Sequence, residues 1–214
     1  MRLVLLGAPG SGKGTQAAFL KERYGCIHVS TGDIFRENLR NKTPLGLEAE
    51  GYMSKGALVP DEVVVKMVSA RLREQDAEAG FLLDGFPRTV AQAEFLDAFL
   101  QERDWPLDAV VLFAIDEEKL VQRLVNRRTC RSCGKIYNLL RAEDGFDGKK
   151  CPACDGEIYQ REDDSERVIR NRLKVFGDQT APLIAWYEKK ELLRRIDVSG
   201  TPEEAFEALE AVLG

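Results

Sequence analysis

The segment Gly7-Ala8-Pro9-Gly10-Ser11-Gly12-Lys13-Gly14-Thr15 carries the densest chemical signal in the chain. Gly7, Gly12 and Lys13 fit the spacing G-x-x-x-x-G-K. Glycine permits positive φ, so successive backbone amides can turn toward one point and hold phosphate oxygens there. The lysine can then reach the outer phosphates of a nucleotide. One position departs from the pattern. Gly14 stands where a hydroxyl normally follows the lysine, and the hydroxyl comes one residue later at Thr15. A direct hydroxyl contact to Mg²⁺ is correspondingly less expected. Asp84 closes the apolar run Phe81-Leu82-Leu83, the place where a phosphate-binding α/β protein sets the acid that organises Mg²⁺. Asp33 is a second candidate for that role. Four cysteines form another constellation, Cys130-Arg-Ser-Cys133 and Cys151-Pro-Ala-Cys154. Two such pairs suit metal ligation, and four thiolates with no spare position make a closed, structural site. Zinc is expected, and a single iron fits the same spacing. Cys26, alone in an apolar stretch, reads as a core residue. His28, the one histidine, reads as structural, with no partner motif around it.

These residues need a frame. Arg2–Leu6 is an apolar run and reads as a buried parallel strand, with a helix from Lys13 to Tyr24 behind the glycine turn. Ile27–Val29, Phe81–Gly85, Ala109–Ile115 and an edge-like Leu193–Val198 read as further strands. Helical spacing marks Asp61–Gln75, Val90–Arg103, Glu117–Arg127, Ser165–Lys190 and Pro202–Leu213. Asp61 reads as an N-cap after Pro60, and Pro202-Glu203-Glu204 as a first helical turn. Arg123 and Arg127 then lie i, i+4 on one helix and share a face. Strands alternating with helices predict a parallel α/β sheet with right-handed crossovers. Two stretches interrupt the alternation. Residues 30–59 are helix-like but broken at Thr43-Pro44, Gly51 and Gly56. Residues 126–164 hold the cysteines, the turn pair Asp144-Gly145 and Asp147-Gly148, and little helical period. They read as a small inserted module.

The chain has 214 residues, 44% of them hydrophobic and 31% charged, with a net charge of −5. That length buries a sizeable core without disulfides. The acidic balance argues against nucleic acid or an anionic membrane as the main partner, since both need a basic surface. No apolar run is long enough to span a bilayer, and the N-terminus lacks a secretory pattern. A soluble, cytoplasmic protein is expected, its cysteines reduced and available to a metal.

The variant Gly-x-Pro-Gly-x-Gly-Lys-Gly-Thr resembles the signature of adenylate kinases and their nucleoside monophosphate kinase relatives. Three further stretches resemble other segments of that family. They are Ser30-Thr31-Gly32-Asp33 with Arg36 one turn on, Phe81 through Arg88, and Arg161-Glu162-Asp163-Asp164 with Arg172 later. The likeness runs in register through the chain, and the cysteine insert makes it similar to the long forms with a metal-bearing lid. The resemblance implies an α/β P-loop kinase core with a five-stranded parallel sheet flanked by helices, over residues 1–29, 60–125 and 165–214. It implies a small helical monophosphate-binding insert over 30–59 and a lid over 126–164. The implied reaction is ATP + AMP ⇌ 2 ADP, Mg²⁺-dependent and by direct in-line transfer, in a monomer with one structural Zn²⁺ per chain.

Such a transfer is mainly an electrostatic problem, because two anions must meet in line while charge spreads over the moving phosphoryl group. Arginine suits it, since its planar fork holds two phosphate oxygens at once. The resemblance puts Lys13, Arg88, Arg123, Arg127, Arg161 and Arg172 at the catalytic positions. It sets ATP against Gly10, Ser11, Gly12, Lys13, Gly14 and Thr15, with its adenine beside Arg127, Ile136, Tyr137 and Pro202. It sets AMP against Thr31, Arg36, Ala57, Leu58, Val59, Gly85, Phe86, Pro87, Arg88, Gln92, Arg161 and Arg172. Gln92 would donate to and accept from the adenine edge, and Asp84 would hold Mg²⁺ through water. Pro202 has no N–H, so only its carbonyl could serve the donor base. Arg128, Arg167 and Arg170 read as solvated. A kinase for another monophosphate is opposed by Thr31, Gln92 and the metal-bearing lid. A zinc-ribbon nucleic-acid binder with a P-loop switch is opposed by the acidic charge and by Asp84 through Arg88.

Overall fold

The computed structural model describes residues 1–141, 146 and 148–214. Five strands form one parallel sheet: β1 (Arg2–Leu6), β2 (Ile27–Ser30), β3 (Phe81–Asp84), β4 (Ala109–Ala114) and β8 (Leu193–Asp197), in the order β2-β3-β1-β4-β8. Leu3 sits in register with Leu82 on one side and Ala109 on the other. The strands are near-continuous apolar runs because helices cover both faces. Leu3, Leu5, Leu82 and Val111 pack against Leu20 of α1 (Lys13–Tyr24) and Leu209 of α9 (Pro202–Leu213). Their neighbours Val4, Leu6, Leu83 and Val110 point the other way. They meet Val68 of α4 (Asp61–Leu72), Leu96 of α5 (Val90–Gln101) and Tyr187 of α8 (Pro182–Lys189). A doubly covered sheet leaves only the strand ends for chemistry, and the C-terminal ends of β1, β2 and β3 open into one cleft through Leu6, Ser30 and Asp84.

Two additions flank that cleft. Residues 30–59 begin on the last residue of β2 and hold α2 (Thr31–Arg40) and α3 (Pro44–Met53). Thr43 caps α3 by accepting from the Gly46 amide at 3.1 Å, and Pro44 occupies its first position. The second addition is an antiparallel sheet, β6-β5-β7, from β5 (Arg127–Cys130), β6 (Ile136–Asn138) and β7 (Ile158–Tyr159). Its small core is Cys130, Tyr137 and Cys151, backed by Phe146 and Ile158. Of the expected turn pair there, Asp144, Gly145 and Asp147 lie outside the described residues.

The structure corrects several expected elements. α6 (Glu117–Val125) stops before Arg127, which begins β5 instead. Asn126 ends the helix, its amide and side chain both donating to the Gln122 carbonyl. Arg123 and Arg127 therefore do not share a helical face. The long helix expected over Ser165–Lys190 is two, α7 (Glu166–Val175) and α8, joined by a wide turn. Pro182 has no N–H to continue the ladder, and the Ala181 amide bonds the Phe176 carbonyl five residues back at 2.8 Å. α4 ends at Leu72 rather than Gln75. Asp61 is its first residue, and its side chain serves α5 rather than capping its own helix. Among the described residues, no helix is long and apolar enough to cross a membrane.

Candidate active site

β1 runs out into the glycine turn. Gly10 takes φ 85°, and a Cβ there would stand 2.8 Å from Leu124 Cγ, so both conformation and space require glycine. α1 begins with no side-chain cap, leaving its first amides to face a ligand. Lys13 folds back over the turn, donating to the carbonyls of Gly7 at 2.8 Å and Ala8 at 3.0 Å. Burial pushes its ammonium down to about 8, only partly offset by Asp84. Gly10, Ser11, Gly12, Gly14 and Thr15 line the same cleft as Lys13.

β3 delivers Asp84 to this cleft. Its Oδ2 lies 3.4 Å from His28 Nε2, so His28 is not without a partner. Burial alone would raise the Asp84 carboxyl, but His28 and Lys13 hold it below its ordinary value. An ionised oxygen donor beside the phosphate turn fits Mg²⁺, a hard cation that keeps most of its waters. Gly85 follows at φ 79°, and its carbonyl accepts from Thr31 Oγ1 at 2.9 Å and from Arg88 Nε at 2.8 Å. A Cβ on Gly85 would stand 2.7 Å from Thr31 Oγ1 and 2.8 Å from the Arg88 guanidinium. Arg88 is further fixed through its carbonyl, which accepts from Thr180 Oγ1 at 2.9 Å.

Beside the cleft lies a recess walled by Thr31, Ala57, Leu58, Val59 and Gln92. Arg36, Gly85, Arg88 and Arg172 line both cleft and recess. Phe86 lines neither; it is buried in the core. The remaining expected cations gather above. Arg127 makes a bidentate pair with Asp164, with Nε to Oδ2 at 2.8 Å. Arg172 meets Asp163 Oδ2 at 2.9 Å, and Arg36 pairs with Asp33. Arg161 has a hydroxyl partner instead, Thr129 Oγ1 at 3.1 Å. Burial, then the neighbouring Arg127 and Arg36, hold Arg161 well below its ordinary value. Arg88 and Arg172 are also lowered, chiefly by burial.

The cleft's outer wall holds Ile136, Tyr137 and Pro202. Arg123 donates to the Val198 carbonyl at 2.7 Å, and the Pro202 carbonyl accepts from Gln16 Nε2 at 2.7 Å. Tyr137 stacks on Phe146 at 4.4 Å, and its hydroxyl is hydrogen-bonded to Cys151 Sγ at 3.1 Å.

Residues 5–192 match the family profile described as adenylate kinase. Adenylate kinase of Thermodesulfovibrio yellowstonii is 50% identical over 213 residues, covering 100% of this chain and 99% of that protein. The chain belongs to the adenylate kinase family. Adenylate kinases of Syntrophobacter fumaroxidans (49% identical, 100% of both chains) and Archaeoglobus fulgidus (48% identical, 100% of this chain and 98% of that one) match it as fully.

This adenylate kinase family member carries a cluster of four thiols, whose sulfurs all lie within 4.8 Å of one another. Cys130 and Cys154 Sγ are 3.5 Å apart, and Cys133 and Cys151 3.6 Å. Tetrahedral zinc with ~2.3 Å bonds needs sulfurs roughly 3.8 Å apart, so the donor set fits such an ion. The two knuckles repeat one turn. The Cys130 amide donates to the Lys135 carbonyl and the Cys151 amide to that of Gly156, each at 2.9 Å. Gly134 and Asp155 take positive φ at equivalent places.

Some functional groups escaped sequence reasoning. Asp163 and Asp164 stood in a recognised segment, but only the fold shows that they pair with Arg172 and Arg127. Asp61 carried a capping signal that pointed to its own helix rather than to α5.

Two outcomes follow. In free enzyme, kcat/KM for ATP should fall above pH about 8, as Lys13 loses its proton. Because that value lies below the unfolded ~10.4, the unfolded chain binds the extra proton, so this group makes stability rise with pH across that window. A flat kcat/KM through pH ~9.5 would contradict the assignment. Elemental analysis should give one metal per chain. Chelation or a paired Cys151→Ser/Cys154→Ser change should lower the melting temperature, while the parallel sheet still folds and part of the activity remains. A metal-free protein of full stability would contradict this.

Proposed function

We propose that the chain transfers the γ-phosphoryl group of ATP directly to AMP, giving two ADP, with ATP on the glycine turn and AMP in the recess. What carries this reading is that Arg36, Arg88 and Arg172 line both compartments. A cation shared by donor and acceptor sites is where a group passing between them needs compensation. The attacking AMP oxygen is already anionic, so no general base is required. The bond from the γ-phosphorus to the β-bridging oxygen breaks as the bond to the AMP oxygen forms. Lys13 and the turn amides hold the donor phosphates, Arg88 and Arg172 bracket the moving group, and Arg36 holds the acceptor phosphate. Arg123, Arg127 and Arg161 complete the set, and the first two must exchange present protein partners for phosphate. Mg²⁺ bound with ATP would neutralise the phosphate oxygens, held by Asp84 through water.

Residues 30–59 act as the AMP-binding unit and residues 126–164 as a lid, each closing on the core to exclude water. Zinc in the cysteine cluster serves to order the lid and takes no part in the transfer. The chain works as a cytoplasmic monomer, with nucleotides rather than nucleic acid or membrane as partners.

The experiment is a coupled ADP-formation assay across nucleoside monophosphates, with and without Mg²⁺. AMP should be the preferred acceptor and Mg²⁺ essential, and a different preferred acceptor would overturn the reading. Arg88→Lys keeps the charge and loses the fork. Turnover should fall ~10³-fold or more with the fold intact, and near wild-type turnover would remove Arg88 from the catalytic set.

A further inference from the structure

We infer that Asp61 is a specificity-determining residue for the acceptor base. It fixes the orientation of the Gln92 carboxamide, so that the recess takes an adenine edge and rejects a 6-oxopurine edge. This rests on the reading of Gln92 as the base contact. Asp61 does not line the recess and acts through Gln92, as a positioning residue.

Asp61 Oδ1 accepts from Gln92 Nε2 at 2.7 Å, and Oδ2 accepts from Thr89 Oγ1 at 2.8 Å. Thr89 Oγ1 accepts in turn from the Gln92 amide at 3.2 Å, which directs its own hydrogen to Asp61. Gln92 Oε1 accepts from the Arg88 amide at 2.7 Å. Asp61 sits at the first position of α4, where the helix dipole favours an anion.

A primary amide has two orientations related by a half-turn. In the other one, Oε1 would face the Asp61 carboxylate, acceptor against acceptor. Nε2 would face the Arg88 N–H, donor against donor. Gln92 is 1% exposed, so water cannot relieve either mismatch. The orientation is therefore held from both ends. What remains for the recess is one Nε2 hydrogen and one Oε1 lone pair, on fixed sides. An adenine edge offers an acceptor at N1 beside a donor at N6. A hypoxanthine or guanine edge offers a donor at N1 beside an acceptor at O6. These patterns are opposites, as are the two amide orientations, so holding the amide selects the class of base.

The test measures kcat/KM for AMP and for IMP, whose base differs at this edge and adds no 2-amino group. Asp61→Asn can accompany a turned Gln92, and Asp61→Ala removes the acceptor. Each should lower the AMP-to-IMP ratio ~10-fold, the scale of one buried hydrogen bond. The change should come mainly through KM, with melting curves reporting the fold. Gln92→Ala is the third arm. If it lowers the ratio while a folded Asp61 variant leaves it unchanged, the inference about Asp61 fails alone. If Gln92→Ala leaves the ratio unchanged, Gln92 does not read the base and both readings fall.

Discussion

The structure depends on holding like charges together in one low-dielectric cleft before any anion arrives. Lys13, Arg36, Arg88, Arg123, Arg127, Arg161 and Arg172 converge there. Three have carboxylate partners: Arg36 with Asp33, Arg127 with Asp164 and Arg172 with Asp163. Among the described residues, Lys13, Arg88, Arg123 and Arg161 make no ion pair and rest on carbonyls or a hydroxyl. Burial disfavours the charge on each of these four. Phosphate-rich substrates supply what the protein withholds, so the same arrangement that opposes folding favours binding.

Everything else resists that repulsion. The sheet is covered on both faces, and its strand ends cannot move apart without opening one core or the other. The turns that carry the cations are fixed by close backbone approach. Gly85 lies against Thr31 and Arg88. Gly56, at φ 71°, brings the end of the helical insert within a Cβ's distance of Arg172. Among its described residues, the small sheet has one large buried side chain in its core, Tyr137, and four sulfurs. Too little apolar surface is buried there for independent order, so an ion at the sulfurs would supply what the core lacks.

Much of this was legible in the chain. The glycine turn, the strand ending at Asp84 and the cysteine pairs are local patterns, and local patterns report local geometry. Alternating strands and helices gave the parallel sheet for the same reason. The misses are tertiary. Helical spacing carried α6 on to Arg127, but Asn126 caps the helix and Asp164, distant in sequence, draws the guanidinium into β5. Pro182 could have flagged the break after α7, yet the spacing on either side concealed it. His28 looked alone because its partner, Asp84, lies on the neighbouring strand. Charge pairing between distant segments leaves no spacing to read.

Arg161 tests the central claim most directly, being buried beside Arg127 and Arg36 and making no ion pair among the described residues. The measurement is thermal melting of wild type and Arg161→Met, each with and without tripolyphosphate. The account predicts that the nucleotide-free variant melts at or above wild type, and that tripolyphosphate raises its melting temperature less. A variant that melts well below wild type, with the full tripolyphosphate shift intact, would contradict it.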